Sequence, residues 1–332
     1  MTRISKNEPE IIDELYEFYS DRKSRGDTDE KIVRDLYDWI NITNLNKKCI
    51  FQITNHHHIN TPKYALILGF FYHYGIGTTA DESRASYLYE KSANAGFALG
   101  QARLGYCYYK PIGREKNDEL AIYWWKLAAD AGDVNAQYNL ASCYSRGIGC
   151  TRDLKKSFQW FEKAAENGDL DAQVMVGKCY HEGAGVMPDE KEAFKYYEKA
   201  ALNGSIRGKF FAGWCHQQGI GTKINHRKAY SWYRQSADGG DPSAQNQLGV
   251  LYAIGNGVRK DYRAAFFWYQ RAAYEHDSSA QFNLADCYRC GAGIPFDMHE
   301  AIKWYRRSDV NGNESVKETL MELFGEDLSI EF

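Results

Sequence analysis

"AQYNLASCYSRGIGCTRDLKKSFQWFEKAAENGDLD", residues 136–171, shows one structural unit from end to end. Ala136, Leu140, Ala141 and Tyr144 stand at i, i+4, i+5 and i+8, which places them on one face of a helix. Ser157, Trp160, Phe161, Ala164 and Ala165 repeat that signature at i, i+3, i+4, i+7 and i+8. Between the two sets Gly147 and Gly149 turn the chain, and Gly168 ends the second helix as a C-cap or turn residue. The stretch therefore predicts an αα-hairpin of two helices, each about three turns long. Neither helix has enough apolar face to stand alone, so hairpin must stack on hairpin.

The same unit recurs. Gly96, Gly132, Gly168, Gly204, Gly240 and Gly312 fall on a 36-residue ladder, with His276 on the missing rung. The glycine pairs keep step at 75/77, 147/149, 183/185, 219/221, 255/257 and 291/293, and repeat 2 departs with Pro111 and Gly113. A phosphate-cradling loop occurs once, after a strand, and its P-loop form needs a Lys-Ser/Thr. These pairs recur between helices and lack that lysine, so they are read as corners. The expected architecture is all-α, a right-handed α-solenoid of stacked 36-residue αα-hairpins. Seven repeats fill 61–315, and a half-repeat with a tail fills 316–332. Residues 1–60 lie outside the pattern. Ile11, Ile12, Leu15, Tyr16 and Tyr19 share one helical face, Ile32, Val33, Leu36, Tyr37 and Ile40 another, and a third short helix is expected over 46–55. Thr61 and Pro62 then supply an N-cap and an N1 proline. The segment is read as a helical cap shielding the open end of the array.

Composition narrows the function classes. A net charge of -3 with 26% charged residues gives no global basic field to recruit nucleic acid or an anionic membrane. The start, MTRISKNEPE, has no apolar core of a secretory signal. The longest apolar run, at 64–72, falls far short of the roughly 20 residues of a spanning helix. A soluble, cytoplasmic protein is expected. Of the eight cysteines, Cys107, Cys143, Cys179, Cys215 and Cys287 share one column of the repeat, which argues for packing as reduced thiols. Cys287 and Cys290 form a CxxC, but no second ligand pair follows at zinc spacing.

Taken together, these columns resemble the Sel1-like repeat family. Leu-Gly or Leu-Ala stands at 68–69, 104–105, 140–141, 248–249 and 284–285, each followed three residues later by tyrosine. Then come the glycine loop and an Asp or Asn at 81, 117, 153, 189, 225, 261 and 297. The small pairs Ala128–Ala129, Ala164–Ala165, Ala200–Ala201 and Ala272–Ala273 complete the motif. The resemblance implies a relative of tetratricopeptide arrays, serving as a scaffold or adaptor in signalling or protein quality control, without catalytic residues. Some bacterial extracellular members are implied to carry a disulfide in each repeat, and alanine occupies the second-helix cysteine position here. The N-terminal segment resembles, more loosely, fungal arrays associated with protein kinase domains. This sequence has no kinase Gly-rich loop, HRD-like loop or DFG. A kinase pathway component on another chain is thus an expected alternative partner.

Candidate sites follow from what the core leaves over. No carboxylate pair, activated nucleophile or metal cluster stands out, and His216 beside Cys215 reads as a substituted core position, so no catalytic, metal or cofactor site is expected. His56, His57 and His58 are read as surface or linker residues. Trp124, Trp160, Trp232, Trp268 and Trp304 form a column read as inter-helix packing. On the first helix of each unit, the positions three, six and ten after the opening residue point away from the core set. The candidates there are Arg103, Tyr106, Lys110, Asn139, Arg146 and Lys178, then Phe211, Trp214, Gln247 and Asn283. They predict a groove on the concave surface, basic early and apolar in the middle. It suits a protein or extended peptide carrying acidic residues and an apolar anchor.

Overall fold

The computed structural model describes residues 8–24, 28–42, 46–56 and 61–324, and the regular secondary structure of these residues is entirely α-helical. Three N-terminal helices, α1 (Glu8–Ser24), α2 (Asp29–Ile42) and α3 (Lys47–His56), precede the repeats. The first compact unit, Met1–Met187, continues through α4 (Pro62–Tyr74), α5 (Glu82–Asn94), α6 (Ala98–Tyr109), α7 (Asp118–Asp130), α8 (Val134–Arg146), α9 (Leu154–Glu166) and α10 (Leu170–Glu182). The second unit, Pro188–Phe332, holds α11 (Glu190–Leu202), α12 (Ile206–Gln218), α13 (His226–Asp238), α14 (Pro242–Ile254), α15 (Tyr262–Tyr274), α16 (Ser278–Cys290), α17 (Met298–Val310) and α18 (Ser315–Phe324). Within each unit, consecutive helices pack as antiparallel pairs that stack on the next pair, a right-handed helix-pair solenoid.

Each glycine of the loop pair has its own task. Gly147 is left-handed, φ 72°, and its amide donates to the Cys143 carbonyl at 2.8 Å, closing α8. Gly149, φ 65°, lets the loop press onto the preceding second helix, where an added Cβ would lie 2.4 Å from the Asp118 carbonyl oxygen. The same approach joins Gly113 to Glu82 and Gly185 to Leu154. In the second unit it joins Gly221 to Glu190, Gly257 to His226 and Gly293 to Tyr262. The pair turns a corner, as expected, and its second member also docks one repeat on the last. Gly77 makes this contact with Lys47, so α3 occupies the place of a second helix ahead of repeat 1. In repeat 2, where Pro111 replaces the first glycine, α6 ends early at Lys110 in extended backbone.

Ala136, Leu140, Ala141, Phe161, Ala164 and Ala165 are buried, as their spacing predicts. The tryptophan column is less uniform. Trp268 and Trp304 are buried, whereas Trp124, Trp160 and Trp232 are half-buried. The deeper ring belongs to the next position: Tyr89, Trp125, Phe161, Tyr197, Tyr233, Tyr269 and Tyr305 are all buried. The small partner on the first helix makes room for it, since a Cβ on Gly105 would meet Trp125 Cδ1 at 2.6 Å. The Asp/Asn column caps the second helices, Asp153 for instance accepting from the Lys156 amide at 2.9 Å. Each such cap contributes about 1 kcal/mol.

A further buried column escaped the sequence reading. Gln137, Gln173, Gln245 and Gln281 donate through Nε2 to the carbonyls of Ala129, Ala165, Ala237 and Ala273, at 3.1 to 3.3 Å. Each cross-links a first helix to the end of the second helix before it. Asn167 and Asn311 then donate to the side-chain oxygens of Gln137 and Gln281.

Candidate partner-binding surfaces

In the first unit the N-terminal helices reach onto the face from which a groove was expected. Arg103 on α6 is buried, 7% exposed, where the sequence led to a solvent-facing side chain. Its Nη1 and Nη2 donate to the two carboxylate oxygens of Asp29, each at 2.5 Å, and its Nε donates to the Tyr19 hydroxyl. The guanidinium also lies over the Tyr19 and Phe70 rings, 5.4 and 5.7 Å from their centroids. Asp29 further accepts from the Tyr74 hydroxyl at 2.7 Å and pairs with Lys23 at 2.5 Å. Burial opposes charge on Asp29, but the Arg103 guanidinium and the Lys23 ammonium outweigh it and hold the carboxyl far below the usual carboxylate range. Burial, with the Arg103 charge adding to it, pushes Lys23 down to about 8.

The anchor extends to repeat 3, where Asn135 donates through Nδ2 to the Lys23 carbonyl at 3.1 Å. Tyr16 packs on Phe97, with ring centroids 5.6 Å apart. Sequence reasoning placed α1–α2 at the end of the array. It had no signal that Asp29, in the first turn of α2, would find an arginine 74 residues away. Between these helices and α6–α8 a pocket of about 240 Å³ remains, and Tyr106 and Asn139 line it.

The other candidates of this unit are exposed. Lys110 follows the end of α6 with its ammonium 5.7 Å from the Tyr109 ring centroid. Arg146 ends α8, and Lys178 on α10 pairs loosely with Glu182 at 3.6 Å. In the second unit Phe211 stacks on Tyr197 at 4.7 Å and meets Trp214 edge-on, and both rings are half-buried. Gln247 is half-buried, and Asn283 donates to the buried Asn246 side chain at 2.9 Å.

Chemistry is sparse elsewhere. Among the described residues no group of three or more His, Cys, Asp or Glu is placed to hold a metal ion, and no helix is long and apolar enough to cross a membrane. His57, His58 and the His56 side chain lie outside the described residues. All eight cysteines are free thiols. Burial pushes Cys107 up to about 11 and Cys215 to about 12, so neither supplies a thiolate nucleophile at neutral pH. His216 is buried edge-on to Phe194, and burial lowers its pKa.

Seven consecutive segments, 62–97, 98–133, 134–169, 170–205, 207–241, 242–277 and 278–308, match the Sel1 repeat. Comparison with curated proteins gave no significant match. Among solved structures, the chain is similar to c5321, a protective antigen of uropathogenic Escherichia coli displaying an SLR fold. The identity is 32% and the TM-score 0.71, over 81% of this chain and 58% of that one. The chain thus spans little more than half the length of that relative. It is also similar to a Sel1 repeat protein from Oxalobacter formigenes, at 33% identity and a TM-score of 0.65, over 69% of this chain and 94% of that one. Helix pairs docked through their second glycine and a repeat matched seven times along the chain lead to one conclusion: the chain belongs to the Sel1 repeat family.

Proposed function

We propose that this scaffold holds a partner protein by an extended peptide laid against the first-helix faces of its repeats. The observation that carries this reading is a contrast between columns. The core columns repeat from unit to unit, whereas the outward positions change in chemistry at each step. In the first unit Lys110, Arg146 and Lys178 offer positive charge to acidic side chains, and in the second unit, taken by itself, Phe211 and Trp214 offer rings for an apolar anchor. Tyr106, Asn139, Gln247 and Asn283 supply donors and acceptors for a peptide backbone. Arg103 belongs to the fold in this reading, since Asp29 already holds its fork.

A kinase-pathway component on another chain is the alternative partner, and the cytoplasm the compartment. The eight free thiols support a reducing environment. Partner capture from the native cell type tests the reading, comparing the natural chain with a Lys110→Glu/Arg146→Glu/Trp214→Ala variant of unchanged helicity. A partner recovered about tenfold less by the variant supports the surface, and equal recovery removes it.

A further inference from the structure

The loop end of repeats 5 and 6, in the second unit, carries an excess of positive charge. Lys223, Arg227 and Lys228 surround the start of α13, and Arg259, Lys260 and Arg263 surround the start of α15. All six are exposed. The stretch 222–229 contains no acidic residue, and the stretch 258–264 contains one, Asp261. The Asp261 carboxylate caps α15, accepting from the Arg263 and Ala264 amides through Oδ1. None of the six cations forms an ion pair among the described residues. The two clusters are neighbours, because Gly257 brings the repeat 6 loop onto the His226 carbonyl and the Arg227 amide.

This charge works against the local structure. Helix N-termini favour acidic side chains, and cations there oppose the macrodipole. In the same unit Glu190 and Glu192 stand in the first turn of α11 and Glu300 in that of α17, while α12, α14 and α16 have no acidic residue there. The first turns of α13 and α15 contain no acidic residue. Cations set against the macrodipole with no ion pair of their own leave this surface available to negative charge on a partner. Beside it a cleft of about 600 Å³ is walled by Arg259, Lys260, Arg263, Tyr252 and Tyr262, with Asp261 as its one carboxylate. Tyr262 is 45% exposed, and the Lys260 ammonium stands 4.7 Å from its ring centroid.

We propose that this end of repeats 5 and 6 docks an acidic segment of a partner protein, a short run of Asp and Glu side chains. Charge complementarity selects the occupant. Six separate cations across two repeats match several carboxylates better than one phosphoryl group, for which Asp261 leaves no free Arg263 or Ala264 amide. The net charge of -3 disfavours a long polyanion, so a short segment is taken and nucleic acid is not. The surface lies at the loop end of the helix pairs, apart from the first-helix positions proposed above, so either proposal can fail without the other.

The test titrates the full chain into a fluorescein-labelled peptide of about ten alternating Asp and Glu residues, read by anisotropy, at about 0.05 M and about 0.3 M salt. Binding is expected at low salt and is expected to weaken at high salt. Arg259→Glu/Lys260→Glu should reduce affinity about tenfold or more, and Arg259→Gln/Lys260→Gln by a smaller factor. The Gln variant decides the matter if the Glu variant loses helicity. Lys155→Glu/Lys156→Glu, at the start of α9, should leave affinity within about twofold. No binding at low salt, or equal binding by the natural chain and the folded variants, overturns the proposal. Tighter binding of single-stranded RNA or of anionic vesicles in the same assay overturns it too.

Discussion

At the scale of single residues, two glycine columns that look alike in sequence do different work. Gly168 has φ 96°, but a Cβ added there meets no atom within 4 Å. Its column tolerates a side chain, since His276 occupies the same rung at φ 64°. Gly149 has φ 65° and no room, with the Asp118 carbonyl oxygen 2.4 Å from where a Cβ would stand. Gly168→Ala should therefore cost about 1–2 kcal/mol, the strain of a left-handed alanine. Gly149→Ala adds overpacking between repeats and should cost on the order of 3 kcal/mol or more. Urea unfolding of the two variants measures the difference, and equal costs would refute the inter-repeat role of the second glycine.

At the scale of elements, the N-terminal helices hold to the repeats through an apolar face, the buried Asp29–Arg103 centre and a Lys63–Asp13 pair at 2.6 Å. Ile11, Leu15, Tyr19, Ile32, Leu36 and Ile40 are buried with residues of α4 in one core. The Asp29–Arg103 pair fixes where that core sits. Removing one partner of a buried pair leaves the other charge uncompensated, so Arg103→Met should destabilise the docking of α1 and α2 by about 3 kcal/mol. Hydrogen exchange should rise in α1 and α2 while α14–α17 keep their protection. Uniform loss across the chain would contradict this local role. The pH dependence follows from the depressed carboxyl of Asp29. Its folded pKa lies below its unfolded value, so the stabilisation is present above about pH 4 and is lost as pH falls below it. The same helices should loosen in acid, and Asp29→Asn should remove that part of the acid sensitivity.

At the scale of the whole molecule, no covalent cross-link forms among the eight cysteines. Cys49 and Cys290 are exposed, and Cys107, Cys143, Cys179, Cys215 and Cys287 are buried. Burial also pushes Cys143 and Cys287 up to about 12, which keeps them protonated. A thiol reagent should label Cys49 and Cys290 rapidly in the native chain and the five buried thiols only on unfolding. The melting temperature should be the same with and without reductant. A drop on reduction would show that disulfides form.

Order along the chain was enough to reveal the repeat, its 36-residue step, the helical class and the core columns. Those features depend on local periodicity and on residues such as Gly147 and Asp153, whose backbone or capping roles act within a few positions. The outward face of the first helices was legible too, as a set of candidates. Which of them remain at the surface was settled by packing. Arg103 and Lys110 look equally available in sequence, yet Asp29 takes the first and leaves the second exposed. The glutamine column was equally silent, because an exposed and a buried glutamine are written alike. Nor does a glycine reveal which carbonyl it must approach. Each of these depends on contacts between segments distant in the chain, and pairing across such distances is set by how the helices pack.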